Sequence, residues 1–258
     1  TNRTHLADYE RAINENTAAL LHVHTSNYRI VGFSSMVPIE ELVQLGRERG
    51  LTVIDDIGSG NLMDMRRLGL PEEPTAQRSI AAGADVVSFS ADKLIGGPQG
   101  GIILGTKVMI DRIRKNPLAR ALRVGKLTLA ALEATLQLFR DEVLLLSENP
   151  TWRMLTCRVE ELHKQAKLLA RRLSKLAEDL DVKIVKGASQ TGSGSLAGRD
   201  LPTYLVALRT ERLSADDLVR RLRTAATPVV ARIEDDAVVL DVRTIGVEEQ
   251  QIVAKMVG

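Results

Sequence analysis

Short apolar runs alternate with amphipathic stretches through the first half of the chain. Ala19–Val23 reads ALLHV and Leu51–Ile54 reads LTVI. Between them a helical pattern opens at Pro38, with Ile39, Leu42, Val43 and Leu45 on one face. Proline suits a first helical turn and Gly50 suits the residue just past a helix end, so the pattern predicts strand, helix, strand. A second unit follows in the same style, with a helix around Ala76–Ala82, a strand at Asp85–Phe89 and another at Ile102–Leu104. Buried β runs joined by helices predict a mainly parallel sheet covered on both faces. From Lys107 the period becomes helical, over Leu118–Phe139 and Trp152–Leu180, with a break at Asn149-Pro150. Short strands (Val182–Val185, Tyr204–Leu208, Val229–Ile233, Val238–Val242) and two helices (Ser214–Thr224, Val247–Val257) come last, in the order of a small α+β domain. The expected organisation is an α/β large domain with its bridging helix over residues 1–149 and the small domain over 150–258.

Composition narrows the class. With 44% hydrophobic and 26% charged residues, the 258-residue chain has the make-up of a soluble globular protein, which excludes disorder, collagen and membrane-span readings. A formal net charge of +2 gives no global field for a polyanion, so any such site must be local. The single cysteine, Cys157, can form neither an internal disulfide nor a zinc cluster and fits a reduced compartment, so the cytoplasm is expected and no metal is. Aromatic residues are too few for nucleic-acid binding by stacking. The opening TNRTHLADYERAI has neither an initiator Met nor a signal pattern, and reads as the middle of a longer chain.

Two polar clusters directly follow predicted strands: Asp55-Asp56-Ile57-Gly58-Ser59-Gly60, and Ser88-Phe89-Ser90-Ala91-Asp92-Lys93 with the glycine-dense stretch after it. Strand carboxyl ends of a parallel sheet face one crevice, so both clusters are expected to open into the same pocket. Either alone is an ordinary surface turn. Together, with Gly96, Gly97, Gly100 and Gly101 free to take positive φ or to let a ligand approach closely, they point to a site. A lysine amine forms a Schiff base with an aldehyde cofactor, and pyridoxal phosphate also needs an anion facing its ring nitrogen. The interval from Asp56 to Lys93 leaves room for a crossover helix and a return strand, and Ser90 is placed to hydrogen-bond a phosphate.

The segments SFSADKLIGGPQGGIILG, DDIGSGNLMDMRRLGLPEEP, VHTSNYRIVGF and NPLARALRVGKLTLAALEATL together resemble bacterial selenocysteine synthases, the L-seryl-tRNA(Sec) selenium transferases. The resemblance runs over nearly the whole chain, but over only the later part of that family's chains. It implies a fold type I pyridoxal-phosphate enzyme, with an incomplete large domain and a small C-terminal α+β domain. Lys93 is then the lysine that binds the cofactor, Asp56 the ring-nitrogen partner and Asp55 a structural neighbour. His24, Thr25, Ser26 and Asn27 end an earlier strand and would line the crevice near the cofactor ring, with His22 expected to point the other way. For His24 a hydrogen-bonded strand-end histidine is the alternative. Asp92 is open between proton transfer or orientation of the phosphate-bearing donor on one side and a turn or helix cap on the other.

Arg120 and Arg123 are three apart on a predicted helix and so on one face, and the resemblance implies that they help bind selenophosphate. Without the family they read as solvated surface. The implied reaction takes seryl-tRNA(Sec) through an aminoacrylate to selenocysteinyl-tRNA(Sec), in a homo-oligomer with no membrane partner. The family's earlier segment supplies cofactor stacking, much of the phosphate cradle and a tRNA-binding domain. These 258 residues alone are therefore expected to be inactive and to leave one side of the sheet open. The rival readings are a related pyridoxal-phosphate lyase acting on a small amino acid or amino-sugar acid, and a non-catalytic oligomerising core. The stretch Gly192–Gly198 lacks the Gly-Lys-Ser/Thr ending of a phosphate loop and reads as a mobile connector.

Overall fold

The computed structural model describes residues 2–176, 179–192 and 194–257. It divides into two compact units, Thr1–Arg153 with Thr191–Arg199, and Met154–Gln190 with Asp200–Gly258. The Gly/Ser stretch thus belongs with the first unit.

In the first unit, α1 (Leu6–Ala12) precedes β1 (Ala19–Val23), α2 (Ile39–Arg49) and β2 (Thr52–Gly58). A 3-10 turn at Met65–Leu68 leads to α3 (Ala76–Ala82), β3 (Val86–Ser90) and β4 (Gly101–Gly105). Pro38 is the N-cap of α2 and Gly50 its left-handed C-cap. Glu40 and Glu41 stand in its first turn and Arg47 and Arg49 in its last, as the helix dipole favours. Its apolar stripe, Ile39, Leu42, Val43 and Leu45, packs with Leu20, Val53, Ile57, Val87 and Phe89 of the sheet in one buried cluster.

The sheet runs β1-β2-β3-β4, with β1, β2 and β3 parallel and β4 antiparallel to β3. The reversal has a simple cause. A parallel return needs a crossover of a dozen or more residues, and Ala91–Gly100 is too short for one; Ala91 N–H donates to Gly100 O across its base. The expectation of cover on both faces is corrected: Leu21, Val23 and Ile103 remain about half exposed.

The single helical pattern over Leu118–Phe139 is also corrected. The chain forms α4 (Lys107–Lys115), α5 (Pro117–Leu122) and α6 (Lys126–Leu138), because Arg123 turns to extended backbone and Gly125, a poor interior helix residue, becomes the next N-cap. Then come α7 (Glu142–Glu148) and α8 (Pro150–Thr156), within which the first unit ends.

The second unit holds α9 (Val159–Leu176), β5 (Asp181–Gln190), β6 (Asp200–Arg209), α10 (Ala215–Arg223), β7 (Arg232–Glu234), β8 (Ala237–Asp241) and α11 (Gln250–Val257). Its antiparallel sheet has the order β5-β6-β8-β7. Leu162, Ala166, Leu169 and Leu173 of α9, at helical spacing, pack in one cluster with Val206, Leu208, Val238 and Leu240. Of the expected strand Val229–Ile233, pairing begins only at Arg232. Cys157 packs against this core, and burial pushes its thiol above the ordinary range despite the opposing pull of Arg243. Since the thiolate is the reactive form, iodoacetamide should modify Cys157 more slowly than a free thiol at pH 8, with the rate rising only at higher pH. Alkylation rates followed across pH by mass spectrometry check this.

Candidate active site

The site is built where β1, β2 and β3 end. Alternation along β2 turns Val53, Asp55 and Ile57 toward the α2 side and sends Asp56 to the opposite face. Asp55 is almost fully buried, and His22 Nδ1 lies 2.7 Å from its Oδ1, so it is held as a structural neighbour. Among the described residues, Asp56 Oδ1 accepts only the Gly58 N–H, at 3.2 Å. Beyond β1 the chain stays beside β2, with His24 N–H donating to Asp56 O at 2.8 Å and Ser26 N–H to His24 O at 2.9 Å.

Lys93 lies in the turn after β3, and its Nζ donates a long, 3.5 Å hydrogen bond to Ser26 Oγ. Among the described residues neither Lys93 nor Asp56 forms an ion pair, so amine and carboxylate are both available to a ligand. The DIGSG turn gathers the strand ends. At Gly58 (φ +61°) an added Cβ would stand 2.6 Å from Ser26 Oγ, and at Gly60 (φ +71°) 2.2 Å from Ser90 O. Only glycine permits both the positive φ and the close approach. Ser59, between them, is fully buried and its hydroxyl has no partner among the described residues.

The turn carrying Lys93 is pinned from behind. Trp152 Nε1 donates to Leu94 O at 2.7 Å, Asn149 Nδ2 to Ile95 O at 2.9 Å, and Leu94 N–H to Ser59 O at 3.1 Å. Of the four glycines free to take positive φ, only Gly96 does so. An added Cβ there would meet the Asn149 side chain at 2.7 Å, so this glycine serves packing of the turn.

The structure therefore brings Asp56, Ser90 and Lys93 to neighbouring strand ends, with Lys93 against Ser26. Asn27 is exposed in the loop after β1, and Asp92 is exposed beside Lys93 with no hydrogen bond to its carboxylate among the described residues. His24 Nε2 is 3.1 Å from Glu73 Oε2. The expectation that His22 points away from His24 is corrected: the two line one hollow with Asp55, as residues two apart on a strand share a face.

Arg120 and Arg123 are both exposed, but they do not share a helical face, since Arg123 is the extended cap of α5. Arg123 lines a groove of about 660 Å³ with Ala19, Thr52 and Val86, the amino ends of the three parallel strands. It is not gathered with Lys93.

The Gly/Ser stretch is the largest departure from expectation. Ser193 lies outside the described residues, but Leu196 is buried and its N–H donates to Glu73 Oε1 at 3.2 Å. Gly194 presses on the Lys93 side chain. The reading as a mobile connector is thus replaced by a packed wall of the lysine's surroundings. Glu73, Asn149 and Trp152 escaped sequence reasoning; the only local signals were the acidic pair before Pro74 and the Asn-Pro break.

A mainly parallel α/β sheet with a lysine in the turn after one strand and a carboxylate near the end of the next, followed by an antiparallel α+β unit, defines a fold type I large domain with its small domain. The solved D-glucosaminate-6-phosphate ammonia-lyase shares this fold, with a TM-score of 0.57 at 23% identity over 96% of this chain and 58% of that one. The family model described as L-seryl-tRNA selenium transferase matches residues 1–246. L-seryl-tRNA(Sec) selenium transferases from Solidesulfovibrio magneticus and Nitratidesulfovibrio vulgaris are 54% and 53% identical, covering 100% and 95% of this chain. The chain belongs to the L-seryl-tRNA selenium transferase family. It spans 56% and 52% of the length of those two relatives, about half.

Proposed function

We propose that this chain carries the cofactor lysine and the ring-nitrogen carboxylate of an enzyme that converts seryl-tRNA(Sec) to selenocysteinyl-tRNA(Sec) with selenophosphate. The observation that carries this reading is Lys93: an amine at a strand end, held by the Ser26 hydroxyl and by no carboxylate among the described residues, with Asp56 equally unpaired at the end of the adjacent strand. That donor set fits pyridoxal phosphate. Lys93 would hold it through the ε-amino group, Asp56 at the ring nitrogen and Ser90 at the phosphate, while His24 and Asn27 flank the strand end. When bound, the group withdraws electron density from the α-carbon of an amino-acid substrate.

Lys93 Nζ is the base for the α-proton, and the Ser26 hydroxyl orients that amine without compensating its charge. Asp92, exposed beside it, is available for proton transfer to the leaving hydroxyl or to orient the phosphate-bearing donor. Arg120 and Arg123, unpaired among the described residues, offer guanidinium forks to an oxyanion such as selenophosphate. Family membership supports including a tRNA partner, a homo-oligomer and a cytoplasmic setting in this proposal. No helix among the described residues is long and apolar enough to cross a membrane. The lyase alternative is disfavoured because the relatives near 50% identity are named as transferases, whereas likeness to the ammonia-lyase supports the fold alone.

The test is borohydride trapping in the full-length protein. Pyridoxal phosphate should give a visible band that borohydride abolishes, leaving a pyridoxyl mass on the peptide containing Lys93. A label on another lysine, or none at all, overturns the proposal, and none at all favours the oligomerising core.

A further inference from the structure

Glu73 lies in none of the clusters that suggested chemistry, yet its carboxylate is only 8% exposed and both of its oxygens are engaged. Oε2 meets His24 Nε2 at 3.1 Å and Oε1 accepts the Leu196 N–H at 3.2 Å. Its own backbone is fixed as well, since the buried Asn61 side chain donates to Glu73 O at 3.1 Å. The carboxylate therefore links the chain just past β1 to residues far along the sequence.

The far side of that link is strained. Leu196 is buried and takes a left-handed φ of +49°, a conformation that persists in a branched residue only where its surroundings over-determine it. Two residues earlier, Gly194 (φ +101°) lies so close to Lys93 that an added Cβ would fall 2.4 Å from Cε and 2.9 Å from Nζ. Its backbone is the wall against which the lysine rests.

We infer that Glu73 is a positioning residue: by holding the Leu196 N–H it keeps Gly194 against Lys93 and so fixes where the amine points. This rests on the proposed role of Lys93. Glu73 has no hydrogen bond to Lys93 and acts through the loop. Without its carboxylate the Leu196 amide loses its acceptor, the loop can leave, and the amine gains freedom at the expense of its reactive orientation.

The experiment uses the full-length protein and four variants. In Glu73→Ala the Leu196 amide should exchange with deuterium about tenfold faster or more. The rate of pyridoxal phosphate attachment to Lys93, trapped by borohydride, should fall about fivefold or more, with a displaced pH profile. Glu73→Gln keeps a carbonyl oxygen for the Leu196 N–H and should restore both readouts to within about twofold. His24→Ala removes only the other leg and should leave Leu196 protected. Unchanged Leu196 protection and Lys93 reactivity in Glu73→Ala overturn the inference, as does a His24→Ala variant that reproduces the Glu73→Ala effects. If Glu73→Ala does not fold, Gly194→Ala decides, since a methyl there must slow attachment and an unchanged rate overturns the inference. Failure of the parent protein to attach pyridoxal phosphate at Lys93 instead sinks the proposed function, and the exchange data remain interpretable by themselves.

Discussion

Replacing Lys93 with alanine in the full-length protein is expected to lower the conversion of seryl-tRNA by about 10³-fold or more, which is about 4 kcal/mol of transition-state stabilisation. The loss should not reflect misfolding. Lys93 is only partly buried and its side-chain hydrogen bond is the long one to Ser26, so stability should change by about 0.5 kcal/mol or less. Lys93→Arg separates charge from nucleophilicity. The guanidinium keeps a cation at the strand end but cannot act as an amine at neutral pH, so it should be as inactive as alanine. A small primary amine in the buffer should restore part of the activity of Lys93→Ala and none of Lys93→Arg, whose side chain still fills the space beside Gly194. Single-turnover assays with seryl-tRNA read all three results, and wild-type turnover by Lys93→Ala would end the case for the site.

The parts of the fold that were legible in the chain are those set by neighbours in sequence. Helix α2 could be bounded from Pro38 and Gly50 because capping is local, whereas the helical pattern over Trp152–Leu180 did not reveal the break between α8 and α9. Asp56 and Lys93 could be paired because a parallel sheet collects its strand ends. The direction of β4 was also within reach, since Ala91–Gly100 cannot hold a crossover.

The break before Gly125 was hidden by the apolar positions on either side of it, which continue the helical period across the gap. The supports of the site were not legible at all. Glu73 meets Leu196, Trp152 meets Leu94, and Asn149 meets Ile95, each across an interval that no periodicity spans. A glycine- and serine-rich stretch carries little hydrophobic signal, so its packing depends on partners that only the fold supplies.

The same logic applies to the second unit, where a residue with no motif at all should carry the largest structural effect. Arg243→Ala is expected to destabilise this unit by about 3–5 kcal/mol, lowering its melting temperature by roughly 12–40 °C. Arg243 is 9% exposed, and its guanidinium donates in three directions: to Ser189 Oγ at 2.8 Å, Met154 O at 2.7 Å and Pro202 O at 2.6 Å. Burial pushes its pKa down while the Asp241 charge opposes that shift. Asp241 in turn accepts from the hydroxyls of Ser189 at 2.7 Å and Thr203 at 2.9 Å, so cation and anion are joined through a shared serine. Alanine would leave two backbone carbonyls without that donor and a carboxylate without its countercharge, the costly way to break a buried network. Arg243→Lys keeps the charge but not the three-way fork and should recover only part of the loss. Removing both charges, as in Arg243→Met with Asp241→Asn, should cost at least about 1 kcal/mol less than the sum of the single changes. Urea and thermal unfolding of these variants, with the two single changes Arg243→Met and Asp241→Asn, measure this coupling. Strict additivity would show that Arg243 and Asp241 act independently and that their link through Ser189 contributes little.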